Sequence, residues 1–242
     1  MVAEVWISLC ITLGVRRTLF GSGECLFSFP EHIKQSTISF LEETSMEYID
    51  YRDWFSQDKL DKMCDAFFVE MEGGTTGLLF VGKDGSKNYY ECSRCFSHET
   101  HQSEFKFSRA LYSEEFLNVV NQKYDIERLR LALEDMVLLS RELDNMFRSR
   151  FESAIAALNG RVFESEEYSW LDSTVAKREV LIACIKSDLF GGMGSWFDSP
   201  LYLAEQRNMT DRFNMVSFKL KDEIRKSRIY VVNHSYTPDK TH

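Results

Sequence analysis

The sequence predicts an α+β fold, mainly helical, with a small antiparallel β-hairpin or meander in its N-terminal half. Three observations predict it. Of 242 residues, 44% are hydrophobic, 14% aromatic and only three are Pro, a composition that favours a compact, helix-rich core over disorder. Two runs rich in Leu, Phe, Val and Tyr, Gly77 to Val81 and Lys87 to Phe96, flank Lys83-Asp84-Gly85-Ser86, which has hairpin-turn chemistry. From Ile126 to Leu158, apolar residues recur at steps of three and four, the period of one helix face.

Taken in order, the apolar segment Val5 to Val15 reads as a buried strand, because its β-branched and aromatic content suits one. It is too short to span a bilayer, and Glu4 precedes it where a leader would carry basic residues. Tyr48 to Met71 reads as a helix, with Trp54, Leu60, Cys64, Phe67, Phe68 and Met71 near helical spacing and Gly73-Gly74 as its stop. The hairpin follows, with Glu104 to Phe107 as a third strand. Ser113, with Glu114 and Glu115 behind it, caps a short helix through Phe116 and Val120.

One helix of roughly thirty residues would place Ile126, Leu129, Leu133, Met136, Leu143, Phe147, Phe151, Ala154 and Leu158 on one stripe, ending at Asn159-Gly160. Leu131, Leu138 and Leu139 lie off that stripe, so the helix is buried on two sides or offers a second face to a partner. Asp172 or Ser173 caps a further helix carrying Val175, Val180, Leu181, Cys184, Ile185 and Leu189. Pro200 restricts Ser199 to extended geometry, and Leu201 to Leu203 forms a short strand or bend. Thr210 caps a last helix through Phe213, Val216, Leu220 and Ile224, before an apolar Ile229 to Val232 segment and a polar tail. The chain divides into an α+β region, 1–121, and a helical region, 122–242, which could equally form one continuous domain.

Charge and cysteine usage narrow the function. A net charge of -9 repels phosphate backbones, so nucleic acid is not an expected partner. Six cysteines are scattered without the framework of a disulfide-stapled secreted domain, and reduced thiols in a cytoplasm are the simpler reading. Cys92, Cys95, His98 and His101 have zinc-like ligand chemistry, but four ligands within ten residues close a tetrahedron poorly, and on a strand Cys92 and Cys95 point to opposite faces. No metal is therefore assigned. No cysteine, histidine and orienting group form a recognisable trio. The expectation is no catalytic residue and no cofactor.

Between Glu42 and Glu72 stand ten acidic and three basic residues, a net of -7. Aromatic residues are interleaved with them, and rigid aromatic anchors inside a negative field suit a basic protein partner. The candidate partner-binding residues are Tyr48, Asp50, Tyr51, Asp53, Trp54 and Asp58.

The densest glycine cluster is Phe190-Gly191-Gly192-Met193-Gly194-Ser195-Trp196-Phe197-Asp198. Phosphate loops place glycines between a strand and a following helix; here an apolar helical run precedes them, so the cluster reads as a helix stop and tight turn that inserts Met193 and Trp196 into neighbouring packing, while Ser195 and Asp198 bond local backbone. The nonamer resembles the signature of a family of small bacterial proteins of uncharacterised function, Gly-Gly-Met-Gly-Ser-aromatic-x-Asp, in which a helix precedes the motif and another follows it. The resemblance covers roughly Phe163 to Arg228, with Phe197 where the family commonly has Asn. It implies a structural turn made by Gly191, Gly192, Met193, Gly194, Ser195 and Asp198. It also implies kinship with immunity components of bacterial toxin systems. The expected function is a cytoplasmic, non-enzymatic immunity protein that occludes a cognate toxin or other basic protein, with no membrane partner. The alternatives are a metal-dependent hydrolase built on Cys92 to His101, and a self-associating subunit whose homodimer Leu139→Glu would dissociate.

Overall fold

A computed structural model describes residues 3–21, 27–31, 33–97, 102–161, 168–191 and 194–236. The chain forms two compact units. One holds residues 3–122 together with 168–176 and 232–236; the other holds 123–161 and the described residues of 177–231.

The first unit is built on a six-stranded mixed sheet, β1 (Thr37–Glu42), β2 (Glu47–Asp50), β3 (Met63–Glu70), β4 (Thr76–Gly82), β5 (Lys87–Ser97) and β6 (Gln102–Ala110), in the order β2-β1-β6-β5-β4-β3. All pairs are antiparallel except β1 with β6. The expected hairpin is therefore the β4–β5 pair of a larger sheet, whose two central strands are β6 and β5. Its turn is as the sequence dictates: Gly85 has φ +80°, where a side chain would be strained, and Asp84 Oδ1 accepts the Ser86 N–H at 2.9 Å.

Alternation along the strands sorts the side chains to two faces. Phe80 joins Phe40, Trp54, Phe55, Tyr90 and Phe107 in an aromatic cluster beneath α2 (Tyr51–Trp54). Leu79, its neighbour in sequence, turns to the opposite face and packs with Val69, Tyr89, Phe116 and Val120 beneath α4 (Glu115–Val120). Ser113 Oγ accepts the Glu115 N–H at 3.3 Å at the start of that helix.

Two expectations for this unit fail. The segment containing Val5 to Val15 is helical, α1 (Ala3–Phe20), and lies against β3, β4 and β5. It is buried at every position from Val5 to Arg16, and a helix apolar all round carries no amphipathic period by which to distinguish it from a strand. Two of its hydroxyl groups bond within the helix: Thr12 donates to the Ser8 carbonyl at 2.9 Å and Thr18 to that of Gly14 at 3.0 Å. No helix among the described residues is long and apolar enough to cross a membrane. Tyr48 to Met71 is not one helix either. It is the end of β2, the single turn α2, α3 (Gln57–Lys62) and then β3. Asp50 starts α2 by accepting the Arg52 N–H at 2.9 Å, and the Phe67-Phe68-Val69 run, which mimics helical spacing, is a strand paired residue by residue with Leu79, Leu78 and Gly77.

The second unit is helical: α5 (Ile126–Leu143), α6 (Arg148–Leu158), α7 (Arg178–Ser187), α8 (Ser199–Gln206) and α9 (Thr210–Asn233), whose last two residues count with the sheet unit. The expected long helix is two. Asp144 adopts φ +50°, the left-handed region that Asp and Asn tolerate, and the Asn145 N–H returns to the Ser140 carbonyl at 3.2 Å. Asn145 Oδ1 then accepts the Phe147 N–H at 3.0 Å. Asp172 does not cap a helix directly; it closes a turn by accepting the Thr174 N–H at 2.8 Å, and α7 starts after Lys177. Pro200 opens α8 in place of a strand or bend, since Pro fits the first helical positions, where an N–H has no partner.

Candidate functional site

The six residues expected to face a partner do not share one surface. Tyr48 on β2 is 45% exposed, and Asp53 on α2 and Asp58 on α3 are exposed. Asp50 is half-buried and committed to the α2 cap. Tyr51 and Trp54 are corrections to the sequence reading: both are buried, Trp54 at 4% exposure. A single helical turn across β1 and β2 has one apolar face, and these two side chains are that face. Tyr51 sits edge-on to Phe27 and Phe29.

Trp54 nevertheless lines a cavity of about 510 Å³ in this unit. Trp54, Phe80 and Tyr90 supply its aromatic wall, and Glu42, Glu43, Asp61 and Asp84 line it together with Lys59, Lys62 and Lys83. Most of these charges are already engaged. Lys59 Nζ lies 2.6 Å from Glu42 Oε2. Arg109 clasps both Glu43 oxygens at 3.0 and 2.8 Å and donates to Asn88 Oδ1 at 2.7 Å. Asp61 Oδ1 accepts from the Gln57 amide at 2.8 Å. Hydrogen bonds from Ser86 hold the Asp84 carboxyl below the usual carboxylate range, so it carries its charge at neutral pH. Burial first, and then the Glu43 and Glu42 carboxylates, push the Tyr90 phenol up to about 12, with Arg109 opposing them. The cavity thus joins an aromatic wall to a field that is negative at Tyr90, a combination equipped to recognise charge and flat apolar surface.

Lys59, Glu42, Phe80 and Tyr90 escaped the sequence reading. They come from four elements, and only the β1–β6–β5–β4 register brings three of them together; no local spacing announces it. The β1–β2 turn projects Met46, at φ +57° and 71% exposed. Among the described residues no basic group pairs with Glu47, Asp53 or Asp58.

The other sequence candidates sit apart. Cys92 is buried and Cys95 exposed, as opposite-facing strand residues must be, and burial raises the Cys92 thiol well above its ordinary value. His98 and His101 lie outside the described residues, among which no group of three or more His, Cys, Asp or Glu could hold a metal ion. In the glycine motif, Gly192 and Met193 also lie outside the described residues. Gly194 has φ +73°, the Ser195 N–H donates to Asp198 Oδ2 at 2.8 Å, and the Trp196 N–H donates to the Leu189 carbonyl at 2.8 Å. The turn drives Trp196 into the helical unit, where it is fully buried, stacks on Phe213 at 5.2 Å and donates its indole N–H to Ser217 Oγ at 2.7 Å. Ser195 and Asp198 are occupied with local backbone and shape the chain.

Fold and site together define an α+β protein with a mixed sheet and a cavity walled by aromatic rings and rimmed by charge. Compared with known proteins, the chain matches no family model, no curated protein and no solved structure.

Proposed function

We propose that this chain is a non-enzymatic binding protein for a basic protein partner, of the kind that neutralises a bacterial toxin by covering its active surface. The carrying observation is the set of exposed carboxylates Glu47 on β2, Asp53 on α2 and Asp58 on α3, which pair with no basic group among the described residues, together with exposed Tyr48 and Met46 in the β1–β2 hairpin. Opposed fields of this kind speed encounter and fix orientation, while Tyr48 and Met46 supply exposed apolar contact area. An edge strand as short and as charged as β2 resists pairing with other strands, so its side chains, and not its backbone, are the available contact groups. The test is co-purification from the native host. A single stoichiometric basic partner, lost when Glu47, Asp53 and Asp58 are changed together to Lys, is the expected result. Recovery of the chain alone, or undiminished capture by the charge-reversed protein, would overturn the reading.

A second reading, self-association, is favoured by one observation on the helical unit: Leu131 and Leu138 of α5, seven residues apart, are 54% and 50% exposed.

A further inference from the structure

The Trp54 indole is occupied on both faces. Phe40 stacks against it with ring centroids 4.4 Å apart and an interplanar angle of 20°. The Lys59 ammonium stands 4.3 Å over its centroid, and since Phe40 fills one face, the ammonium takes the other. The same ammonium lies 2.6 Å from Glu42 Oε2, and the two side chains are only 34% and 28% exposed. Tyr90 meets the indole edge-on at 5.2 Å. An aromatic face with a carboxylate beside it is the arrangement that recognises a cationic group. In this cavity the cation it holds comes from the chain itself.

We infer that the cavity is a receptor site for one basic side chain of a partner, and that Lys59 is a resident occupant which the incoming cation displaces. The inference rests on the proposal above that the partner is basic, and adds the chemistry of the contact. A guanidinium suits the site better than a second ammonium, because it is planar, weakly hydrated and stacks on indole. A volume of about 510 Å³ accommodates such a side chain with its neighbouring backbone. Lys62 and Lys83 line the same cavity and repel further positive charge, so the site takes a single basic residue and not a polybasic run. Displacement is feasible because a half-exposed ion pair and one cation–π contact are each weak.

The experiment is a titration of the full chain with N-acetyl-arginine amide, followed by NMR at the Trp54 indole N–H. Lys59→Met is expected to tighten binding about tenfold, the combined strength of the two contacts it removes from the competing occupant. Lys59→Gln, which keeps a polar side chain at this half-exposed position, is expected to give the same gain, so that a folding defect in one variant does not decide the matter. Adding Glu42→Gln to either is expected to cancel most of it. Unchanged affinity in both Lys59 variants, or tighter binding of inorganic phosphate than of arginine amide, would overturn the inference. Were a basic partner still captured through Glu47, Asp53 and Asp58 while arginine amide ignored Lys59, the proposed function would stand and this site would fall.

Discussion

At the scale of single residues, Arg16 shows how the sheet unit tolerates a charge in its interior. Its side chain is 2% exposed and paired with Asp65, which is 22% exposed. Nη1 donates to the Ala66 carbonyl at 3.1 Å and Nε to that of Ser235 at 2.9 Å, while the Phe20 and Phe67 rings lie 5.2 and 5.4 Å from the guanidinium carbon. Burial pushes the Arg16 pKa down and the Asp65 pKa up, and in each case the partner's charge opposes the shift. Such a pair is costly to split and less costly to replace whole, because splitting leaves a buried charge uncompensated. Asp65→Asn is therefore expected to destabilise the fold by about 3 kcal/mol, and Arg16→Met added to Asp65→Asn is expected to recover part of that loss. Urea denaturation of the two single variants and the double variant measures the coupling. Additive losses would show that the pair contributes nothing as a pair.

At the scale of elements, the sheet ends in an edge strand, β3, that pairs only with β4. Asn233, near the chain's C-terminal end, completes it: Oδ1 accepts the Phe68 N–H at 2.7 Å and Nδ2 donates to the Phe68 carbonyl at 2.9 Å. A side-chain amide has the same donor and acceptor as a peptide group, so one residue stands in for a missing strand. Asn233→Leu leaves both Phe68 groups buried without a partner and is expected to cost about 3 kcal/mol. Faster hydrogen exchange at the Phe68 amide should accompany the loss; an amide exchanging as in the native protein would refute the capping role. This contact also marks what a sequence can and cannot disclose. The β4–β5 hairpin, the Ser113-led α4 and the start of α9 at Thr210 were legible, since each is specified by residues a few positions apart. The form of α1, the break at Asp144 and the fate of Tyr48 to Met71 were not. A helix buried all round has lost its period, a left-handed Asp inside a continuous apolar stripe leaves that stripe intact, and two short helices followed by a strand can imitate one helix. The acidity of the Glu42 to Glu72 stretch was visible, but the burial of Tyr51 and Trp54 was set by the sheet beneath α2, and the cavity by strand register over long sequence distances.

At the scale of the whole molecule, the question is whether one chain is the working unit, and α5 bears on it. Its buried stripe includes Leu129, Leu133, Met136 and Leu143, all fully buried, while Leu131 and Leu138 remain half-exposed on another line of the same helix. Leu138 also lines a groove of about 430 Å³ with Val137, Ile155, Glu134, Arg141 and Glu152. A seven-residue apolar repeat is the spacing by which helices pair, and a two-fold contact must be complementary to itself. The contact offers only two leucines per copy, so association is expected to depend on concentration. Light scattering over a concentration series should show the mass rising toward that of a dimer, and Leu138→Glu should hold it at the monomer. Leu139→Glu, the substitution the sequence pattern favoured, cannot serve: Leu139 is fully buried, and a carboxylate there disrupts the fold before it tests any interface. Leu131→Glu is the better companion, because it lies on the exposed line and is expected to weaken the dimer while leaving the thermal melt of the monomer unchanged. A native protein that stays monomeric at every concentration would exclude the α5 face as a homodimer contact.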